Sequence, residues 1–317
     1  MQCRKYEEHK KSAGQSRSHY QADSQKDWPE DWSVSSVDMQ KVIMLPRMPG
    51  VKTAFFTRRI VPNHETFATI GKKSQKKTKT ISVVWHEGTA GWKAEEITSS
   101  YVIALEHERD VKHAVYWVDN CTSQNKNWYL LTSLVSVVNA DSTLMEDITL
   151  MFFEPGHTFM SADSFHHGVE QEMKARPGGV VYDFGDFLHV VATSNAGKVE
   201  VVGMKKENIL AWKAGHSIVK LKKAAAPKLA EMAEIQLRRG SRSLFCKVSH
   251  EEKDFTELDY LMKKVTLETP PTLRTQDRGI DEFKKMDIIT KLCPLMPAHR
   301  RQFWNDLAVN SIAEDEE

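Results

Sequence analysis

Apolar residues enter this chain in two rhythms after a polar beginning. Residues 1 to 33 are rich in Lys, Ser and Gln with a weak helical pattern from Tyr6 to Tyr20, which predicts a peripheral arm. From residue 34 short strand-like runs exchange with longer stretches of helical spacing, the signature of an α/β layer architecture. Val37 to Leu45 reads as a strand ended by Pro46. Ala54 to Val61 reads as a second, stopped by Pro62 and Asn63, and Thr80 to Trp85 as a third. Their short connections favour an antiparallel meander. Ile97, Tyr101, Ile103, Ala104 and Leu105 give Glu95 to Arg109 a helical face to lay on that sheet. His113 to Val118 is a fourth strand, followed by a helix from Ser123 to Val138. Ile148 to Phe153 is a fifth strand, closed by Pro155 and Gly156, and Ser161 to Lys174 a further helix capped by Ser161.

Beyond Gly179 the pattern thins. Tyr182 to Thr193 and Ala224 to Leu237 read as helices, and Val199 to Val202 and Ser243 to Val248 as strands. Ile280 to Leu307 carries apolar positions at helical spacing before the acidic end, Glu314 to Glu317. The expected organisation is an arm (1–33), a mixed five-stranded sheet flanked by helices (34–178), and a smaller C-terminal α+β extension (179–317). That last part is either a second lobe or a continuation of the sheet.

Composition narrows the class. The chain has 317 residues, 40% of them hydrophobic, enough for a large domain with a real core. No apolar run approaches the ~20 residues that span a bilayer, and no apolar stretch follows the charged N-terminus, so an intracellular protein without a membrane partner is expected. Cys3, Cys121, Cys246 and Cys293 never form a C-x-x-C pair, which predicts reduced thiols and argues against a disulfide framework or a complete zinc site. A net charge of +1 gives no global field for nucleic acid. Local patches would have to supply it: Lys72, Lys73, Lys76, Lys77 and Lys79, or Arg238, Arg239 and Arg242 around Gly240, unless these are solvated loops.

The order of three strands, helix, strand, helix, strand, helix is that of a ribonuclease H-like fold. Such a fold carries acids on its first strand, at the end of its fourth, and on the helix after its fifth; Asp38, Asp119 and Asp163 occupy those slots. Carboxylates gathered from separate elements suit a pair of Mg2+ or Mn2+ ions, which prefer hard oxygen ligands and can activate water on a phosphodiester. Taken singly, each aspartate is an ordinary turn or cap residue. The polar run from Asp119 to Asn127 follows a buried strand where open α/β sheets bind ligands, so Asn120, Gln124 and Asn125 are expected to orient Asp119 or substrate; a long helix cap is the alternative. In Gly156 to Asp163, His157 is a candidate proton carrier or phosphate contact, or else a packing or capping histidine. His167 stands four residues from Asp163 on the same helical face. Glu87, ending the third strand, is expected beside the acids or capping the helix near Glu95. A Cys121–His157 nucleophile, or zinc held by Cys121, His157, His166 and His167, competes less well because both leave the three acids unexplained.

The segments Val37-Asp38-Met39-Gln40-Lys41-Val42 with Leu45-Pro46, Trp85-His86-Glu87, Asp119-Asn120-Cys121 with Gln124-Asn125-Lys126-Asn127, and Gly156-His157-Thr158 with Asp163 carry a resemblance. Arg239-Gly240-Ser241-Arg242, Lys284-Lys285, Leu292-Cys293-Pro294 and Arg300-Arg301 echo it later. In them the chain resembles a family of transposon-derived proteins of unknown function, whose shared domain is ribonuclease H-like and related to transposase and integrase catalytic domains. The resemblance implies that Asp38, Asp119 and Asp163 are metal-binding acids, that DNA is the partner, and that the protein is nuclear. It also implies a longer upstream region of which Cys3 and His9 are a remnant. It implies no small-molecule cofactor and leaves an oligomer open. Two functions follow: metal-dependent DNA cleavage or strand transfer, or a catalytically inactive, domesticated or truncated copy that binds nucleic acid or protein as a scaffold.

Overall fold

The structure, a computed structural model, describes residues 2–72, 79–212, 227–263, 265, 267 and 271–310, with the backbone alone for 2–5. Its strands are β1 (Trp32–Met39), β2 (Pro62–Thr69), β3 (Thr80–His86), β4 (His113–Val118), β5 (Asp147–Phe152), β6 (Val199–Gly203), β7 (Leu210–Ala211), β8 (Glu234–Arg238), β9 (Leu244–Lys247), β10 (Thr256–Leu258) and β11 (Thr272–Leu273). The helices are α1 (Gln2–Gln25), α2 (Lys52–Phe56), α3 (Ala94–His107), α4 (Trp128–Val138), α5 (Ser161–Ala175), α6 (Phe184–Thr193), α7 (Glu282–Lys291) and α8 (Gln302–Asp306).

Among the described residues nine strands form one mixed sheet in the order β10-β9-β8-β5-β4-β1-β2-β3-β6. β1, β2 and β3 are an antiparallel meander, and β1, β4 and β5 run parallel. Parallel neighbours require crossovers, which α3 and α4 provide on one face. Their apolar residues Ile97, Tyr101, Leu131 and Leu134 pack on Val37, Phe67, Val83 and Tyr116, the inward-alternating positions of the central strands. The opposite face is covered by α5, α6 and α7 through Phe165, Val169, Phe187 and Ile288, and by α1, whose Tyr20 joins Val34, Trp117 and Phe153.

Beyond Gly179 the chain continues this sheet. β6 adds parallel to β3, while β8, β9 and β10 add antiparallel outside β5. The mixed α/β class is as expected, but the sheet is wider than five strands.

Several elements differ from the sequence reading. Ala54 to Val61 is not a strand. The short helix α2 occupies its start and the second strand runs from Pro62 instead, because proline at a strand's first position forfeits no interior ladder bond. Polar His64, Glu65 and Thr66 disguise β2, yet all three are buried. The stretch from Ala224 to Leu237 is not one helix where it is described: Leu229–Glu231 make a single 3-10 turn, and Ile235 and Leu237 alternate into the core as part of β8. Residues 224–226 of that reading lie outside the described residues. The helix expected from Ser123 starts at Trp128, with Asn127 Oδ1 capping Leu130 N at 2.9 Å, and the polar run before it is a loop. Most of the expected N-terminal arm is one long helix, Gln2–Gln25, anchored in the core by Tyr20, and its last two residues, Trp32 and Ser33, already belong to β1, which ends at Met39 and not at Leu45.

Candidate active site

Register brings the first two acids together. Val37 of β1 pairs with Val118 of the parallel β4, so Asp38 and Asp119 are the next residues on two adjacent strands at their C-terminal ends. The third acid, Asp163, sits in the first turn of α5. That helix is pinned against β1, since the buried Ala162 N donates to Ser36 Oγ at 3.0 Å. Tyr20 of α1 holds the same turn from outside, its hydroxyl accepting from Ser161 N at 2.8 Å.

Asp38 senses the other two carboxylates. Asp38, with 20% of its side chain exposed, has its pKa pushed up to about 7, first by burial and then by the charges of Asp163 and Asp119. A fourth acid, absent from the sequence reading, belongs to the same field. Glu65 of β2 is fully enclosed and pushed up to about 8 by burial, with Asp38 and Asp119 adding to the rise and the Ser100 hydroxyl, which donates to Glu65 Oε2, opposing it.

Each aspartate is also held by a local bond. Asp163 Oδ2 accepts from Met160 N at 2.8 Å, closing the helix cap. Asp119 Oδ1 accepts from Cys121 N at 3.1 Å and from Asn125 Nδ2 at 2.8 Å, while Asn125 Oδ1 accepts from the Tyr101 hydroxyl at 3.0 Å. Asn125 therefore orients Asp119 as expected. Asn120 does not; its amide donates to Phe153 O at 2.6 Å. Gln124 enters the loop through its backbone, its carbonyl accepting from Asn127 Nδ2 at 3.0 Å. Among the described residues, no three His, Cys, Asp or Glu side chains are gathered to hold a metal ion as they stand.

Behind Asp38 runs a buried polar chain whose direction can be worked out. Gln40 Nε2 donates to His166 O at 3.4 Å, which leaves Gln40 Oε1 to accept from His64 Nδ1 at 2.7 Å. His64 Nε2 must then accept from the Thr66 hydroxyl at 2.9 Å, and Thr66 in turn accepts from His166 Nε2 at 3.0 Å. The bare Nδ1 of His166 is left facing Asp38 Oδ2 at 3.6 Å. Burial drives His166 down to about 4 and His64 well below its ordinary range, so both rings are neutral at pH 7. An imidazole lone pair opposite Asp38 favours the protonated carboxyl, in line with its raised pKa.

Other expectations are corrected. The histidine facing the acids is His166, whereas His167 is exposed and lies against Gln171 at 3.2 Å, one residue being enough to rotate a helical side chain off the face. His157 meets His9 of α1 at 3.1 Å. Glu87 neither joins the acids nor caps α3: it accepts from Lys284 Nζ at 2.7 Å, while Glu96 Oε2 accepts from Lys93 N at 3.0 Å to close that cap. Cys121 is a free thiol beside Ser123 Oγ at 3.2 Å, not a partner of His157. The arginine patch is occupied. Arg239 binds the carbonyls of Met145 and Thr143, Arg238 stacks on Phe245 at 3.9 Å, and Arg242 donates to Val265 O. Of the lysine loop, Lys73, Lys76 and Lys77 lie outside the described residues, and Lys72 pairs with Asp27 at 2.9 Å.

Sequence reasoning missed His64, Glu65 and Thr66, and it named Gln40 and His166 without placing either behind Asp38. The available signal was the unbroken polar triplet His64-Glu65-Thr66 between Val61 and Phe67. No family model, curated protein or solved structure matches the chain.

Proposed function

We propose that the protein is a metal-dependent phosphodiester-cleaving or strand-transferring enzyme acting on DNA, built on a ribonuclease H-like domain of transposase type. The observation that carries this reading is the placement of Asp38 and Asp119 at the shared end of two parallel strands with Asp163 in the first turn of the helix beside them; Asp38 is raised first by its burial and then by the charges of the other two. Strand order and direction in the middle of the sheet support it as well. Like charges pressed together at a sheet edge are costly unless a proton or cation is shared, and carboxylate oxygens suit Mg2+ or Mn2+. Held by Asp38, Asp119 and Asp163, such ions would supply an activated water and stabilise the leaving oxygen. Asn125 and Tyr101 keep Asp119 aimed, and α5 presents Asp163 from a fixed first turn.

A scaffold that keeps the fold without the chemistry is the second reading. It is favoured by the engaged arginine patch and by the local bonds that already occupy one oxygen each of Asp163 and Asp119.

The test is nicking of supercoiled DNA with Mn2+, alongside thermal unfolding with and without the metal. The parent should nick DNA and gain stability from millimolar Mn2+ by mass action. Asp119→Asn should fold normally and lose both properties, with nicking down by about 100-fold or more. Equal nicking by parent and variant sinks the catalytic reading. Absence of nicking and of metal stabilisation in the parent favours the scaffold.

A further inference from the structure

Away from the acids, two histidines from distant parts of the chain meet at the surface. His9 lies on α1, and His157 lies in the loop between β5 and α5. Their Nε2 atoms are 3.1 Å apart, with ring centroids 4.9 Å apart and planes tilted by 54°. On its other side, His9 Nδ1 is 2.7 Å from Glu154 Oε1, in the same loop as His157. A carboxylate can only accept, so Nδ1 carries the hydrogen and Nε2 of a neutral His9 presents its lone pair to His157.

Two imidazole nitrogens this close can share a hydrogen or a cation. Two nitrogens bound to one tetrahedral zinc at ~2.0–2.1 Å lie about 3.3 Å apart, close to the separation found here. The carboxylate on the far nitrogen is the outer contact that fixes tautomer and ring orientation in histidine metal sites. His157 is exposed and His9 partly so, which leaves room for water in the remaining positions.

We infer that His9 and His157, with Glu154 orienting His9, form a two-histidine site for a borderline transition-metal ion such as Zn2+. It clips α1 to the loop that leads into α5. The site is independent of the proposed role of the acids. Imidazole selects Zn2+, Ni2+ or Cu2+ over Mg2+, so the two centres take different ions.

The test uses the full chain and zinc chloride, read by calorimetric titration and by limited proteolysis within α1. The parent should bind zinc at this site and gain protection of α1, with no such protection from magnesium. His9→Ala and His157→Ala should each weaken binding by tenfold or more and remove the protection. Glu154→Gln should weaken binding by about 10- to 100-fold, the usual cost of losing an orienting partner. Asp119→Asn should bind zinc like the parent, which separates this site from the acids. The inference is overturned if zinc fails to protect α1 in the parent. It is equally overturned if His157→Ala binds and is protected as the parent is, or if Asp119→Asn abolishes the effect. His157→Gln repeats the test with a side chain of similar length should the alanine variant fold poorly.

Discussion

Asp38 and Glu65 pull stability one way with pH, and the histidines behind them pull it the other. Asp38 and Glu65 are raised to about 7 and about 8, so the folded state holds their protons more tightly than the unfolded chain does. Their stabilising share is complete below the unfolded carboxylate range and is lost as pH climbs through 7 to 8. His64 and His166 are lowered, His166 to about 4, so their share is present above about 6.5 and disappears as pH falls toward 4. Asp38→Asn cannot ionise. Relative to the parent it should gain on the order of 2 kcal/mol between pH 5 and pH 8.5, allowing for partial exposure of the side chain. Urea unfolding in chelator at the two pH values measures this, and a difference that does not grow with pH would remove the basis for coupling the three acids. The acid-side loss should persist in the variant, because the two histidines are untouched.

Elements aim these residues through few contacts. α5 reaches β1 by the bond from Ala162 N to Ser36 Oγ, and both groups are buried. Ser36→Ala strands a helix-terminal N–H and should cost about 1–3 kcal/mol in urea unfolding. A cost near zero would mean that α5 is positioned by its apolar face alone. The same scale explains what was legible in the sequence. Apolar runs such as His113 to Val118 and Ile148 to Phe153 announced β4 and β5, and punctuation placed Asp119 and Asp163 where elements end or begin. β2 stayed hidden because three of its buried residues in a row, His64, Glu65 and Thr66, are polar, so the apolar pattern that marks a core strand was broken there. Ser123 to Asn127 read as the first turn of a helix because Asn127 caps that helix from outside it. Which histidine faces the acids, His166 or His167, turns on a rotation of one residue that composition does not encode. The arginines around Gly240 looked like a binding patch because the partners of Arg239 and Arg242 are backbone carbonyls and that of Arg238 is the ring of Phe245, contacts that sequence spacing does not announce.

At the scale of the molecule, the sheet is completed from outside in chain order. β3 receives its outer partner from residues 199–203 and β5 from residues 234–238. During synthesis the first five strands can therefore assemble while both of their borders still lack neighbours. Each border is a row of unpaired amides and carbonyls, the template on which nascent chains join one another. A chain stopped at residue 178 should accordingly self-associate in sedimentation experiments, even though the three aspartates are all present in it. A monomeric fragment would mean that those borders protect themselves. The later strands thus act for the ribosome-bound chain as a deferred seal, and this protein's yield in a cell should depend on how long translation leaves the two borders open.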